Sequence, residues 1–514
     1  MKKLIHIIQG MAVMAMVVLL AACQKEESYL KVVPSDTMMN VSVDLGSLAK
    51  KGDLGNNVSL NGLANTAMLA LDRETQEYAK LLLETPQLSG IDFTKPMVMM
   101  VNSQGQDADN TEVGVVLAVC NKEAVRKCLD TFVKSGVTYE EKGDVTLVRF
   151  GDEEEGMLAY DETSFVLWVS KKRDVASLFS LSAADQAIQS NEVFKQMVDS
   201  HADIAYACDY SQFSHLYEEA VRNSEANEQF DTQAVTEILQ SMKVLSTTNF
   251  EDGKIVTETR CGGVNQDLMN CYAQATGRDF NYLPSEAIAV AEGAVKQLPT
   301  VGIFYDKMFK GKISEFLTNA NLSMEDLNEI EGDVCLSFIG MEEQLPMVYF
   351  AADVKGDKLW NALKAELVKD DQVQEQSADR LILLEKYVIG KTADRIFCMP
   401  VSYCDRVIKD GQWVALDENF NQNRTADQIK KMGLAIDFVA LGEMLSTLDL
   451  GMYQAVAQMA VSKFDYAVAS NDANDMLHAK SECVMTDKKT NSFKQIVNLV
   501  EDVIRQAVAG NSIN

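Results

Sequence analysis

One stretch of this chain occurs twice. Val33-Pro34-Ser35-Asp36 leads into Met38-Met39-Asn40-Val41-Ser42-Val43-Asp44, and Leu283-Pro284-Ser285-Glu286 leads into Ile288-Ala289-Val290-Ala291-Glu292. In each copy a proline fixes the approach, a small polar and an acidic residue make the turn, and a strand ending in a carboxylate follows. Three further correspondences keep the same order. Leu117-Ala118-Val119 running toward Leu129 is echoed by Phe350-Ala351-Ala352-Asp353 running toward Leu363. The segment 204–210 is echoed by 433–438, and the turn within 250–256 by the one at 471–475. The offset between copies shrinks steadily along the chain, as differences in loop length would produce. Repetition on this scale predicts two homologous lobes, residues 29–275 and 280–510.

Each lobe alternates strands with helices. Residues 111–120, 145–150, 156–160 and 165–170 are strand-like runs joined by polar turns. Residues 122–134 place Val125, Leu129, Phe132 and Val133 near one face of a helix. Tight turns between successive strands imply antiparallel pairing, and Asp410-Gly411 suits the type I′ turn of a hairpin. The expected fold class is therefore α+β: two lobes, each mainly antiparallel sheet with helices packed on one face. A length of 514 residues, 47% hydrophobic, is enough for both cores.

The amino terminus carries a separate message. Met1-Lys2-Lys3 is basic, residues 7–20 are mostly apolar, and Leu20-Ala21-Ala22-Cys23 closes the run. The charged and apolar regions are those of a signal peptide, and the ending resembles the lipobox of bacterial lipoproteins. That resemblance implies removal of residues 1–22 and acylation of Cys23, which would tether the protein to a membrane through residues 23–28. A transmembrane helix fits less well, because the run is short and interrupted by Gln9 and Gly10. Lys25, Glu26 and Glu27 resemble the signal that sends lipoproteins of some Gram-negative gut anaerobes to the outside of the outer membrane. The expected location is the outer membrane, on the cell surface, with the periplasmic face as the alternative.

Charge narrows the partners. The chain carries 47 basic and 76 acidic side chains, a formal charge of −29. That balance argues against nucleic acid or an anionic membrane surface and fits a solvated exterior or weak cation binding. Past Cys23 the cysteines show no C-x-x-C pair or zinc spacing, and most sit in apolar runs, so inert thiols are expected. A Cys398–Cys404 disulfide is possible but not implied.

No motif announces chemistry. H-E-x-x-H, G-x-S-x-G, G-x-G-x-x-G and the P-loop are absent, and His201, His215 and His478 are the histidines beyond the signal segment. Asp44, Asp209 and Asp437 each stand between a strand and a helix, where a carboxylate caps the helix. Asp152-Glu153-Glu154-Glu155 reads as a hairpin tip. Asp107-Ala108-Asp109-Asn110 and 471–475 lack the glycine and final glutamate of an EF-hand. With 76 acids, no hydrolytic carboxylate pair can be singled out from sequence. Trp168 and Trp360 read as core, leaving Trp413 as the surface aromatic. No cofactor and no metal site is expected.

Val-Pro-Ser-Asp ahead of Ser42-Val43-Asp44-Leu45, and 89–96 ahead of Met97-Val98-Met99-Met100-Val101, resemble a family of large lipoproteins from Gram-negative gut anaerobes, classed as a domain of unknown function. The resemblance implies lipid attachment at Cys23; it supplies no established activity and leaves function open. The expected function is a non-catalytic binding or assembly module whose partner is an envelope protein or an external glycan. The rivals are a surface hydrolase of glycan or peptide using an unidentified carboxylate pair, and a periplasm-facing binder of apolar ligands.

Overall fold

The computed structural model describes residues 27–511, except 58–60, 63–67, 70, 104–110, 134–136, 151–156, 171–172, 214–230, 232, 234–235, 238–239, 343–344, 421–431, 473–474 and 476. Cys23, Lys25, Glu26, His215 and the acidic runs 107–110 and 152–155 lie outside the described residues. The described residues fall into two compact units. The first lies within 1–220, 239–252 and 490–514, the second within 221–238 and 253–489.

The first unit is built on β1 (Met39–Val43), β2 (Met97–Ser103), β3 (Thr111–Ala118), β4 (Val137–Lys142), β5 (Val145–Phe150), β6 (Met157–Tyr160), β7 (Ser164–Val169), β8 (Ile204–Asp209) and β9 (Lys243–Glu251). Their order across the sheet is β9-β8-β1-β2-β3-β7-β6-β5-β4, every neighbour antiparallel. Period-2 burial shows why: β3 alternates buried Gly114, Val116 and Ala118 with more exposed Val113, Val115 and Leu117. One face packs Val98, Met100, Val116, Val166 and Trp168 against Leu30, Val32, Val33 and Phe194. The other packs Val148, Leu158 and Phe165 against Val125 and Leu129 of the helix Lys122–Phe132.

The second unit is built on β10 (Lys254–Gly262), β11 (Tyr272–Ala273), β12 (Ala289–Val295), β13 (Ile330–Glu342), β14 (Leu345–Val354), β15 (Val373–Ser377), β16 (Arg380–Leu383), β17 (Tyr387–Lys391) and β18 (Arg395–Pro400). It continues with β19 (Ile408–Lys409), β20 (Gln412–Trp413), β21 (Met432–Asp437), β22 (Phe464–Asn471) and β23 (His478–Met485). The sheet order is β10-β23-β22-β21-β12-β13-β14-β18-β17-β16-β15, again antiparallel throughout. β11 pairs with the end of β12, and β19–β20 is the hairpin turned by Asp410 and Gly411, both at positive φ.

From β22 to β15 this order repeats that of the first unit, strand for strand. The backbone contacts repeat as well. Met38 N–H donates to Val101 O, Asp209 N–H to Met38 O and Ala187 N–H to Val33 O; Ile288 donates to Phe338, Asp437 to Ile288 and Phe420 to Leu283. Pro34 bridges to Gln186 and Pro284 to Asn419.

Two expectations need correcting. Helices pack on part of both faces of each sheet, because strands such as β7 bury Phe165 and Val166 on opposite sides; in the second unit Phe397 and Ile396 do the same. The division also falls at Asp252/Gly253 instead of 275–280. β10 is hydrogen-bonded along its length to β23. The C-terminal helix Ser492–Asn511 belongs to the first unit, where Phe493 packs on Phe250 and Lys494 reaches Asp53.

Candidate functional site

The least ordinary environment among the described residues lies on the inner face of the second unit. Asp279 sits on the 3-10 helix Arg278–Asn281, Glu292 on β12 and Asp333 on β13, with their carboxylate oxygens within 4.8 Å of one another. All three are buried, at 0%, 3% and 2% exposure. Carboxylates this enclosed are uncommon unless paired or ligated.

Asp279 is paired. Arg395 Nη2, from the first residue of β18, lies 2.5 Å from its Oδ1 and 2.7 Å from its Oδ2. The Tyr349 hydroxyl donates to Oδ1 as well. Arg395 Nε is 3.2 Å from Asp353 Oδ1, its guanidinium lies 4.5 Å from the centre of the Trp413 ring, and Arg278 also pairs with Asp353. Burial works against the charge on Arg395, but Tyr349, Asp279 and Asp353 outweigh it and raise its pKa. Burial and then Asp279 push the Tyr349 phenol well above its usual value.

Asp333 is held differently. Thr276 donates its N–H to Oδ1 at 3.0 Å and its hydroxyl to Oδ2. β13 is irregular between Ile330 and Val334, and Gly332 at φ 121 lets the backbone bend there. A Cβ on Gly332 would come within 2.5 Å of Asp353 Oδ2, so the residue is fixed by close approach as well as by φ.

Glu292 is the exception. Neither of its oxygens accepts a hydrogen bond of good geometry from a described residue, although the Asp279 N–H lies close enough to favour its charged form slightly. It stands directly across from Cys335 in the β12–β13 register, its side chain turned toward the two aspartates. Burial first, then the carboxylates of Asp279 and Asp333, push its pKa up to about 8, against smaller opposing effects from Arg395 and the Asp279 N–H.

The cluster is sealed. A glycosidase carboxylate pair stands about 5–9.5 Å apart and must reach a sugar, whereas these acids are closer and buried. The arrangement can fix the segment 276–281 against the sheet and can hold a proton or a small cation.

The acids anticipated from sequence lie elsewhere. Asp44 accepts from the Ser47 N–H at the start of the helix Leu45–Gly52, and Asp437 from the Val439 and Ala440 N–H groups at the start of Phe438–Thr447. Asp209 accepts from the N–H and hydroxyl of Ser211 at a 3-10 turn. Trp413 is not an open platform: it packs on Tyr282, Tyr349 and Phe397 and donates to Thr392. All the described cysteines are free, Cys398 and Cys404 included. The cluster escaped the sequence reading because its acids are far apart in the chain and share no motif. Glu292 was the signal available: read from sequence as the carboxylate ending the repeated strand, it lies in the middle of β12, at the position of Ser42 and not of Asp44.

No curated protein and no solved structure matches this chain. Residues 29–398, which run from the first buried segment into β18 and include every member of the cluster, match the family described as Domain of unknown function (DUF4836), and the chain belongs to that family.

Proposed function

We propose that this protein is an outer-membrane lipoprotein, acylated at Cys23 and exposed on the cell surface, where it acts as a non-catalytic binding or assembly module. The observation that carries the reading is how soon the fold takes hold after the lipobox. The 3-10 helix Glu27–Val32 begins four residues beyond Cys23, and Leu30, Val32 and Val33 are fully buried in the first core. At no more than about 3.6 Å per residue, such a tether keeps the body close to the lipid. Lys25, Glu26 and Glu27 stand where a surface-export signal is read.

The repeated strand order and backbone contacts support descent of the two units from one duplicated lobe. Binding or assembly is supported by apolar side chains on the outer sheet faces. Met99, Val113 and Val169 are 38%, 39% and 51% exposed in the first unit, Leu336 and Leu434 52% and 42% in the second. A partner would be an envelope protein or an external glycan.

The test is protease accessibility on intact cells, comparing wild type, Cys23→Ala and a Lys25/Glu26/Glu27→Ala triple variant. Wild-type digestion with protection of the triple variant, and loss of membrane retention in Cys23→Ala, is the expected result. Protection of the wild type would overturn surface exposure and favour a periplasm-facing role.

A further inference from the structure

We propose that Asp279, Glu292 and Asp333 bind one hard divalent cation, of the calcium, magnesium or manganese class, inside the second unit. Oxygens no more than 4.8 Å apart can share one ion with metal–oxygen bonds of about 2.0–2.6 Å. The donors are all carboxylate oxygens, the chemistry that hard cations select. Cys335 lies across from Glu292, but its sulfur is not one of the clustered ligand atoms.

Glu292 gives the independent reason. A carboxylate that is 3% exposed, with no well-formed hydrogen bond and only the Asp279 N–H nearby, needs a positive partner or a proton. Its two neighbours are already oriented from outside. Thr276 holds Asp333, while Tyr349 and Arg395 hold Asp279. Outer hydrogen bonds of this kind fix ligand carboxylates while leaving lone pairs free. Formal charge points the same way: Asp279, Glu292, Asp333, Asp353 and the exposed Asp394 face Arg278 and Arg395, an excess of negative charge that a divalent ion lowers. At the matching positions of the first unit stand Tyr29, Ser42 and Pro96, which offer no such set.

The full chain, purified in detergent, stripped with EDTA and desalted, is titrated with Mn2+, free ion being read by electron paramagnetic resonance. Melting is then followed with Mn2+, Ca2+ and Mg2+ in turn. The wild type is expected to take up one Mn2+ per chain and to melt higher with at least one of the three ions. Glu292→Gln and Asp333→Asn should each weaken uptake by about tenfold or more, while Ser42→Ala, the matching position in the first unit, should not. Two acid variants are used so that a folding failure in one leaves the other decisive. A wild type that shows no saturable uptake and no shift in melting with any ion overturns the proposal, and so does uptake unchanged in both acid variants. In the former case Glu292 holds a proton.

Discussion

The two units run their chains through the same strand order and fill the same place with opposite chemistry. In the first, Tyr29 donates its hydroxyl to Pro96 O, and Ser164 donates to Tyr29 O. In the second, Asp279 stands at the position of Tyr29, Asp333 at that of Pro96, and Arg395 at that of Ser164. Gly114, where a Cβ would meet Met100 and Trp168 at 2.6 Å, corresponds to Tyr349. At these matched positions the first unit packs apolar groups around a large indole, while the second holds a buried ion pair with a spare acid. The first unit's own buried charge pair, Glu112 with Arg173, lies elsewhere on β3. A shared backbone frame does not require a shared core; it requires only that each core satisfy its own polar groups.

Breaking the ion pair should have the largest effect. Arg395→Met leaves Asp279 buried without a cation, and Asp279→Asn leaves Arg395 with Asp353 alone beside it. The former should cost about 3–5 kcal/mol and the latter less, read as a shift in urea unfolding. Ser164→Ala, at the matching position of the first unit, should cost no more than about 1 kcal/mol. Equal costs would erase the contrast.

Gly114→Ala comes next. The added methyl must displace Met100 and Trp168, an overpacking cost of about 1–3 kcal/mol, seen as a lower melting temperature and altered Trp emission. Tyr349→Phe, at the matching position, removes one of the donors to Asp279 and should cost about 1–2 kcal/mol.

Acid should act on the first unit through Asp161. Burial opposes its charge, but Lys31 at 2.7 Å and the N–H groups of Thr163 and Ser164 hold its pKa below the usual value. A depressed carboxylate pKa stabilises the fold above the unfolded value, and that contribution is lost as pH falls through the folded value. Asp161→Asn should therefore be less stable near neutrality and show a shallower decline in stability on acidification than the wild type. Parallel pH profiles would contradict this assignment.

The smallest effect concerns thiols. Burial pushes Cys128 up to about 12 and Cys335 well above its ordinary value, whereas Cys120 is exposed. Alkylation of the native chain at neutral pH, mapped by mass spectrometry, should mark Cys120 long before either buried thiol.

The frame was legible in the sequence, the site was not. Pro34 and Pro284 mark the corresponding turn in both units because a fixed φ ahead of a strand is a local requirement, visible in any short window. The Asp410-Gly411 hairpin is legible for the same reason. The faces and the division were less so: β7 buries adjacent residues on opposite sides, and the pairing of β10 with β23 joins segments far apart in the chain. The acidic cluster is least local of all. Asp279, Glu292, Asp333, Tyr349 and Arg395 come from separate elements, and nothing in the residues around Arg395 announces that its guanidinium turns inward onto Asp279.

A pair of double-mutant cycles tests the central contrast most directly. One combines Asp279→Asn with Arg395→Met; the other combines Tyr29→Phe with Ser164→Ala in the first unit. The predicted coupling is about 2–3 kcal/mol in the second unit and under about 0.5 kcal/mol in the first. Couplings of equal size would contradict the account, because the two inner faces would then be held together in the same way.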